Sequence, residues 1–530
     1  MTTALRALSS VNRHSTPKPH DVKGELSASH VWTLFVAFSV LATLPIWTHR
    51  VPPLSDYANH LARMYVISSL TKNPQLDRFY EIDWQIIPNL TMDLVVPELS
   101  RVMNVYLAGQ VFTAGMFLAI ASGVLVLSRS LFGRVSIAAL LVLPFLYNYV
   151  FLVGLMNYIF GIGLALWGLA AWVALRGSNV VFRITASTAF VILLFFAHLS
   201  ALGVYGIGIL SLELSRVWAR RAEFHLWKLI DFMAAGLPFM VALPLLLASP
   251  TVKLASSTYW DHFGKVDGLL YVLSDYSEVL ALGLLAVLVL CAVWAGRRRI
   301  LRFHPLAVAL LVVGGGVYVA LPRVMFDTYM ADQRVPLGVA FMLLACVDLR
   351  LPTRSLRVSF VSLLLLVLAV RLIEVDVNWS TLSDTTSQLR SSLRRITPGS
   401  KVFVAYANAS AGADVADLAL VHAPCLAVIE RSALVTTLFT VSGKQILHVR
   451  PEYRDFADTQ DGTPPSISQM LVAANSPLPG TPAFWLNWRK FDYVYVLFTD
   501  DETPNPDPSH LRLIDEGDRF QLYRVIPTAS

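Results

Sequence analysis

Apolar runs long enough to cross a bilayer recur along most of this chain, and no single water-soluble core could hide them. A helix needs roughly 17–25 predominantly apolar residues to span the hydrocarbon layer, a length met by 280–295 and 360–372 with their flanks. With 55% of residues hydrophobic and 15% charged, lipid must serve as solvent for much of the surface. Backbone polar groups inside lipid need internal partners, which leaves helices or closed barrels. The weak alternating pattern of a barrel is not what these runs show, so helices are expected.

The apolar runs fall at 31–47, 107–127, 135–153, 158–175, 184–197, 201–214, 229–247, 279–294, 305–321, 336–346 and 359–373, giving about eleven transmembrane helices. Charge tests this threading, because cytoplasmic connections are enriched in Lys and Arg. Alternate connections do carry them: Arg129 and Arg134; Arg176 and Arg183; Arg216, Arg220, Arg221 and Lys228; Arg297, Arg298, Arg299 and Arg302; Arg350, Arg354 and Arg357. The formal net charge of +6 is therefore a record of topology and gives no reason to expect a nucleic-acid partner.

The polar, basic residues 1–30 precede the first run with no small-residue cleavage site after it, which reads as a retained signal anchor with a cytoplasmic tail. The expected organisation is a cytoplasmic tail (1–30), a transmembrane domain (31–373) with a large first external loop (48–106), and an extracytoplasmic α/β domain (374–530). In that last part short strand-like runs at 401–406, 418–430, 493–498 and 520–525 alternate with helical stretches such as 381–393 and 509–515, and 458–468 reads as a mobile loop. Cys291 and Cys346 lie in apolar runs and Cys425 stands alone, so free core thiols are expected.

The first external loop holds the most chemistry. After Pro52 and Pro53 stop the span, Ser55 is placed to cap a new helix lying on the membrane surface. Asp56, Asn59, His60 and Arg63 then fall at i, i+3, i+4 and i+7, on one helical stripe. An aspartate in the first turn is held as carboxylate by the helix dipole, which suits a general base. His60 and Arg63 suit binding a phosphate or orienting a hydroxyl. The same spacing also fits an ordinary amphipathic helix with a capping acid and i+4 partners.

The stretch Pro52-x-x-x-Asp56-Tyr57-x-x-His60-x-x-Arg63 after the first span, about eleven spans with the amino end inside, and an outer α/β tail together resemble the GT-C superfamily of lipid-linked-sugar glycosyltransferases. That group includes protein O-mannosyltransferases and the aminoarabinose transferases that modify lipid A. The tail pattern Trp488-Arg-Lys-Phe-Asp-Tyr-Val-Tyr-Val followed by 513–525 is also similar to tails of that group. The resemblance implies Asp56 as catalytic base, with Tyr57, Asn59, His60 and Arg63 as substrate contacts. It further implies a polyprenyl-phosphate sugar donor, a glycan, lipid or protein acceptor, and a bacterial inner membrane location. Family members often carry a second acid in the next external connection, where this chain reads Gly154-Leu-Met-Asn157. No metal cofactor is therefore expected, and Asn157 is assigned to sugar hydroxyls.

A donor whose leaving group is already a phosphate needs no acid to protonate it, so one carboxylate suffices for an inverting displacement. Cations must then balance the departing phosphate. The connection 322–335 offers Asp332 and Arg334, with Arg334 first choice and Arg323 and Lys265 in reserve. His198, at a predicted outer helix end, is either a substrate contact or a satisfied core residue. The competing function classes are a transporter, which the scarcity of ionisable residues within the spans disfavours, and an envelope assembly protein without activity.

Overall fold

A computed structural model describes residues 26–219, 232–256, 258–408, 412, 417–458, 464–476, 478–500 and 502–526. The expected tail as far as residue 25, the basic residues Arg220, Arg221 and Lys228, and residues 459–463 of the expected mobile loop lie outside them. The helices that organise the rest are α1 (Ala28–Thr48), α2 (Tyr57–Ser69), α3 (Thr91–Leu99), α4 (Val105–Phe132), α5 (Met156–Gly177), α6 (Val180–Ala197), α7 (Leu199–Ala219), α8 (Glu278–Arg297), α9 (Leu306–Ala320), α10 (Val335–Ala345) and α11 (Arg354–Arg395). Side chains start them in the usual way: Ser27, Asn104, Asn179, Ser277 and Thr353 each accept a backbone N–H of the first turn.

Among the described residues, six helices are long and apolar enough to cross a membrane: α1, α4, α5, α6, α8 and α11. A seventh is added if Phe232–Ala248 and Pro250–Ser256, bent by 83°, count as one span. The chain is a multi-pass helical membrane protein, but only these six or seven of the eleven expected segments pass by length and composition. The run at 135–153 departs because Pro144 sits within it; it folds as a 3-10 helix, Ile137–Phe145, and a four-residue helix, Tyr149–Leu152. α7 ends among Glu213 and Arg216, while α9 and α10 are short. The two helices flanking His198 are separate, since that residue is fully extended (φ −171°, ψ 133°) between them.

α4 and α5 pack against each other through small residues. A Cβ added at Gly163 would lie 2.8 Å from that of Ala119. Of the three glycines at 314–316, Gly314 packs against Val339 while nothing lies within 4 Å of the added Cβ at Gly315 or Gly316.

Within the connection between α1 and α4, helix α2 does not lie on a surface. Residues 57–64 of α2 are all buried, because the helix is held between α3 and α4 on one side and the C-terminal helix Leu426–Arg431 on the other. Strand β1 (Tyr80–Ile82) of the same connection pairs antiparallel with β6 (Leu447–Val449), tying the two regions by backbone hydrogen bonds. A second small antiparallel pair joins β2 (Leu301–Phe303) to β3 (Val347–Leu349).

The C-terminal sheet region contains β4 (Lys401–Tyr406), β5 (Leu434–Val435), β7 (Tyr493–Leu497), β8 (Leu511–Gly517) and β9 (Phe520–Val525), in the order β5-β4-β7-β9-β8. β4 lies between two parallel neighbours, and β9 runs antiparallel to both β7 and β8. Two expectations are corrected here. Residues 418–430 are largely helical (Leu418–Val421 and Leu426–Arg431), as their Ala and Leu content favours. The stretch 509–515, expected as helix, enters β8 at Leu511, where hairpin pairing with β9 overrides local preference. The expected boundary at 374 falls inside α11, which runs without a break from the apolar segment to the sheet region. Cys291, Cys346 and Cys425 are free thiols.

Candidate active site

The position of Asp56 follows from the chain before it. Pro52 and Pro53 end the apolar run, and the Leu54 N–H closes a turn on the Pro52 carbonyl at 2.8 Å. The Ser55 and Asp56 N–H groups then donate to the carbonyls of Leu152 and Val153, at 3.0 and 3.2 Å. The chain leaving the short helix Tyr149–Leu152 turns at once through Gly154, whose φ of +91° suits glycine; an added Cβ there would lie 2.9 Å from the Asp56 nitrogen. Asp56, not Ser55, is the N-cap of α2, and its carboxylate makes no capping hydrogen bond. It is directed instead toward His422, with Oδ1 3.6 Å from Nε2.

Asp56 and His60 line a cavity of about 410 Å³ between the helices and the C-terminal sheet region. From the helices come Asn157, Tyr158, His198 and Arg334, with residues 325–331 as one wall. From the sheet region come Tyr406, His422, Phe439 and Lys444. The Asp56 side chain keeps 21% of its surface open.

Arg334 sits at the N-cap of α10 and is held by neutral groups. Its Nη1 lies 2.8 Å from Nε2 of His198, its Nη2 donates to the Tyr329 carbonyl at 2.9 Å, and the Tyr158 ring lies beneath it. Its charge is answered by Asp56 across the cavity. The other cavity cation, Lys444, is bound to the carboxylate of Asp327 at 2.5 Å.

Burial pushes the Asp56 carboxyl up to about 7, against the pull of Arg334 and then Arg63 toward the charged form. This corrects the expectation of a carboxylate stabilised by the helix dipole, since desolvation outweighs it. Burial, with Arg63 and His422 adding to it, holds His60 well below its ordinary value. It also pushes His422 down to about 4 and Arg334 down to about 10. Burial likewise holds His198 well below its ordinary value, so at neutral pH the cavity presents three neutral imidazoles, a carboxyl near its midpoint and a guanidinium.

Several expected site residues are engaged elsewhere. Arg63 is fully buried and makes a two-point ion pair with Asp93 of α3, at 2.9 Å for each bond, so it reaches Asp56 only through space. Asp332 is clasped by Lys265 at 2.8 Å and Arg323 at 3.0 Å, which removes all three from the cavity lining. The Tyr57 ring is buried against α4 at Gly109 and Thr113. Asn59 accepts from the Phe439 N–H at 2.9 Å and donates to the Thr437 carbonyl at 2.7 Å, fastening α2 to the sheet region. Asn157 lines the cavity, but its amide is committed to Asn89 and to the Met92 N–H. Asp56, His60, His198, Asn157 and Arg334 are thus brought together. His422, Phe439 and Lys444 escaped sequence reasoning because no spacing marks them; only the fold carries them to Asp56.

Among the described residues no cluster of three or more His, Cys, Asp or Glu is arranged to hold a metal ion. Fold and site together define a multi-pass helical membrane protein with a titratable cavity closed by a mixed α/β region. No family model and no curated protein matches the sequence. The structure is similar to the crystal structure of ArnT from Cupriavidus metallidurans bound to undecaprenyl phosphate, at 11% identity and a TM-score of 0.48, over 95% of this chain and 99% of that one.

Proposed function

We propose that this protein is a GT-C-type glycosyltransferase that moves a sugar from a polyprenyl-phosphate donor to an acceptor hydroxyl at the outer face of a bacterial inner membrane. In this reading there are about eleven spans. The amino terminus is cytoplasmic, and residues 374–530 with the connection 48–106 stand outside. The reading is carried by one observation: a base and a cation share one cavity without being paired. Asp56 is free of a capping bond, and Arg334 is held only by neutral groups.

Asp56 takes the proton of the acceptor hydroxyl as that oxygen attacks the anomeric carbon from the face opposite the phosphate. The new carbon–oxygen bond forms while the bond to the phosphate oxygen breaks, and the phosphate leaves with the electron pair toward Arg334, giving inversion. A carboxyl poised near neutrality is suited to accept that proton. Val335, next to Arg334, also borders an apolar groove of about 310 Å³ lined by Leu311, Gly314, Val339 and Leu343, which fits a polyprenyl tail. His60 and His198 contact substrate, while Asn59, Arg63 and Asp332 hold the walls.

The test is transfer from lipid-phosphate sugars in proteoliposomes by the parent chain and by Asp56→Asn. Transfer abolished in the variant supports the reading. Equal turnover in both would remove Asp56 from the mechanism, and substrate passage across the bilayer without transfer would establish a carrier instead.

A further inference from the structure

A chain of contacts runs from Asn59 through His422 toward Asp56, and the hydrogen-bond directions along it assign the proton of the imidazole. The Phe439 N–H donates to Oδ1 of Asn59 at 2.9 Å, so the other end of that amide is its NH₂ group, which donates to the Thr437 carbonyl at 2.7 Å. The same NH₂ lies 3.1 Å from Nδ1 of His422. A donor there requires an unprotonated Nδ1, and a neutral imidazole then carries its proton on Nε2. Nε2 faces Oδ1 of Asp56 at 3.6 Å. The ring is held edge-on against Phe439, 5.0 Å between centroids, and is buried apart from its cavity face.

We infer that His422 of the C-terminal sheet region is a positioning residue for the base: its Nε2–H, aimed at Oδ1 of Asp56 from just beyond hydrogen-bond length, closes on that oxygen when the carboxyl ionises, so that Oδ2 is presented to the acceptor hydroxyl. The base is therefore assembled from two distant parts of the chain and is complete only when the sheet region is seated on α2. This inference rests on the transferase reading for its role in turnover, while the Asp56–His422 coupling stands independently of it.

The charged and titratable groups facing Asp56 are His422 from the sheet region, His60 one turn along α2, Arg63 beyond it, and Arg334 across the cavity. Lys444 and Asp327, which also line the cavity, neutralise each other, and the cavity-lining His198 has its two ring nitrogens on Arg334 and the Ser200 N–H. Of these, His422 is the neutral donor directed at the carboxylate. A hydrogen bond to the charged form favours it, so losing His422 moves the Asp56 midpoint upward.

The experiment compares parent, His422→Ala, His422→Gln and His422→Asn in two readouts: the pH profile of transfer, and titration of the Asp56 carboxyl by infrared difference spectroscopy with Asp56→Asn as blank. Gln can place an amide N–H where Nε2 was, and Asn cannot. Expected for His422→Ala is an acid limb displaced to higher pH by about one unit and kcat lowered about 10-fold or more, with KM changed less. His422→Gln recovers most of both, His422→Asn neither, and all three retain the parent's unfolding midpoint within a few degrees. An unchanged profile and an unchanged carboxyl titration in a folded His422→Ala would overturn the inference while leaving the transferase reading intact. No transfer by the parent, with the infrared midpoint still displaced by His422→Ala, would sink the transferase reading and leave the coupling supported.

Discussion

Two arginine–aspartate couples each take one member from the same short helix, α2, and they are arranged in opposite ways. Arg63 and Asp93 meet in a two-point ion pair, each side chain about 1% exposed, and between them they close the space joining α2 to α3. Arg334 and Asp56 line one cavity without an ion pair between them, Arg334 held by neutral groups and Asp56 3.6 Å from a neutral imidazole. The first couple satisfies its charges and joins two elements. The second leaves both charges available to something between them, at the cost of a carboxyl whose ionisation burial opposes. The same residue types thus serve structure where they touch and chemistry where they are held apart.

The comparison breaks most visibly if the separated couple proves idle. Replacing Asp56 by Asn keeps shape and removes the base, and transfer is expected to fall about 100- to 10,000-fold with folding retained. The joined couple should respond in stability. Arg63→Met or Asp93→Leu alone strands a buried charge and destabilises by about 3–5 kcal/mol, whereas the double replacement recovers most of that loss. Thermal unfolding in detergent measures both. A single variant as stable as the parent would show that the pair contributes nothing.

Acid–base behaviour sharpens the contrast further. The folded-state pKa of Asp56 is raised from 3.8 to about 7. The proton is thus bound more tightly in the folded protein, and the stability this gives is complete below the unfolded value and lost as pH rises through about 7. Asp56→Asn should therefore gain on the parent between pH 5 and pH 8, by about 1–3 kcal/mol once the open face of the carboxyl is allowed for. Over the same interval parent transfer rises, because the base is needed unprotonated. Activity and stability moving in the same direction across that interval would contradict the assignment.

What could be read in the sequence divides along the same line. Apolar length and basic clusters are local properties, and they announced helices and the break at His198. The stripe from Asp56 to Arg63 was legible as one helical face, since spacing alone sets it. Its partners were not: Asp93, His422 and Phe439 reach that face only after α3 and the sheet region have packed, and no local pattern marks them. Hence Arg63, offered as a phosphate ligand, is taken by Asp93, while Lys265 and Arg323 are both engaged by Asp332. The helix expected at 509–515 failed for a related reason, because pairing with a distant strand outweighed local preference.

The smallest effect concerns the turn that aims the base. Gly154 combines a φ of +91° with an approach so close that a methyl group would lie 2.9 Å from the Asp56 nitrogen. Gly154→Ala must either strain that backbone or push the start of α2 away from Val153, and a cost of about 1–3 kcal/mol in stability is expected. The displacement falls on Asp56 and not on Arg63, which lies two turns along α2 and is anchored by Asp93. Transfer should thus drop more steeply than the unfolding midpoint, by about 10-fold or more for a shift near 1 Å. If transfer and stability instead fell in step, as they would for Arg63→Met, the separated couple would depend on general packing and the distinction between the two couples would disappear.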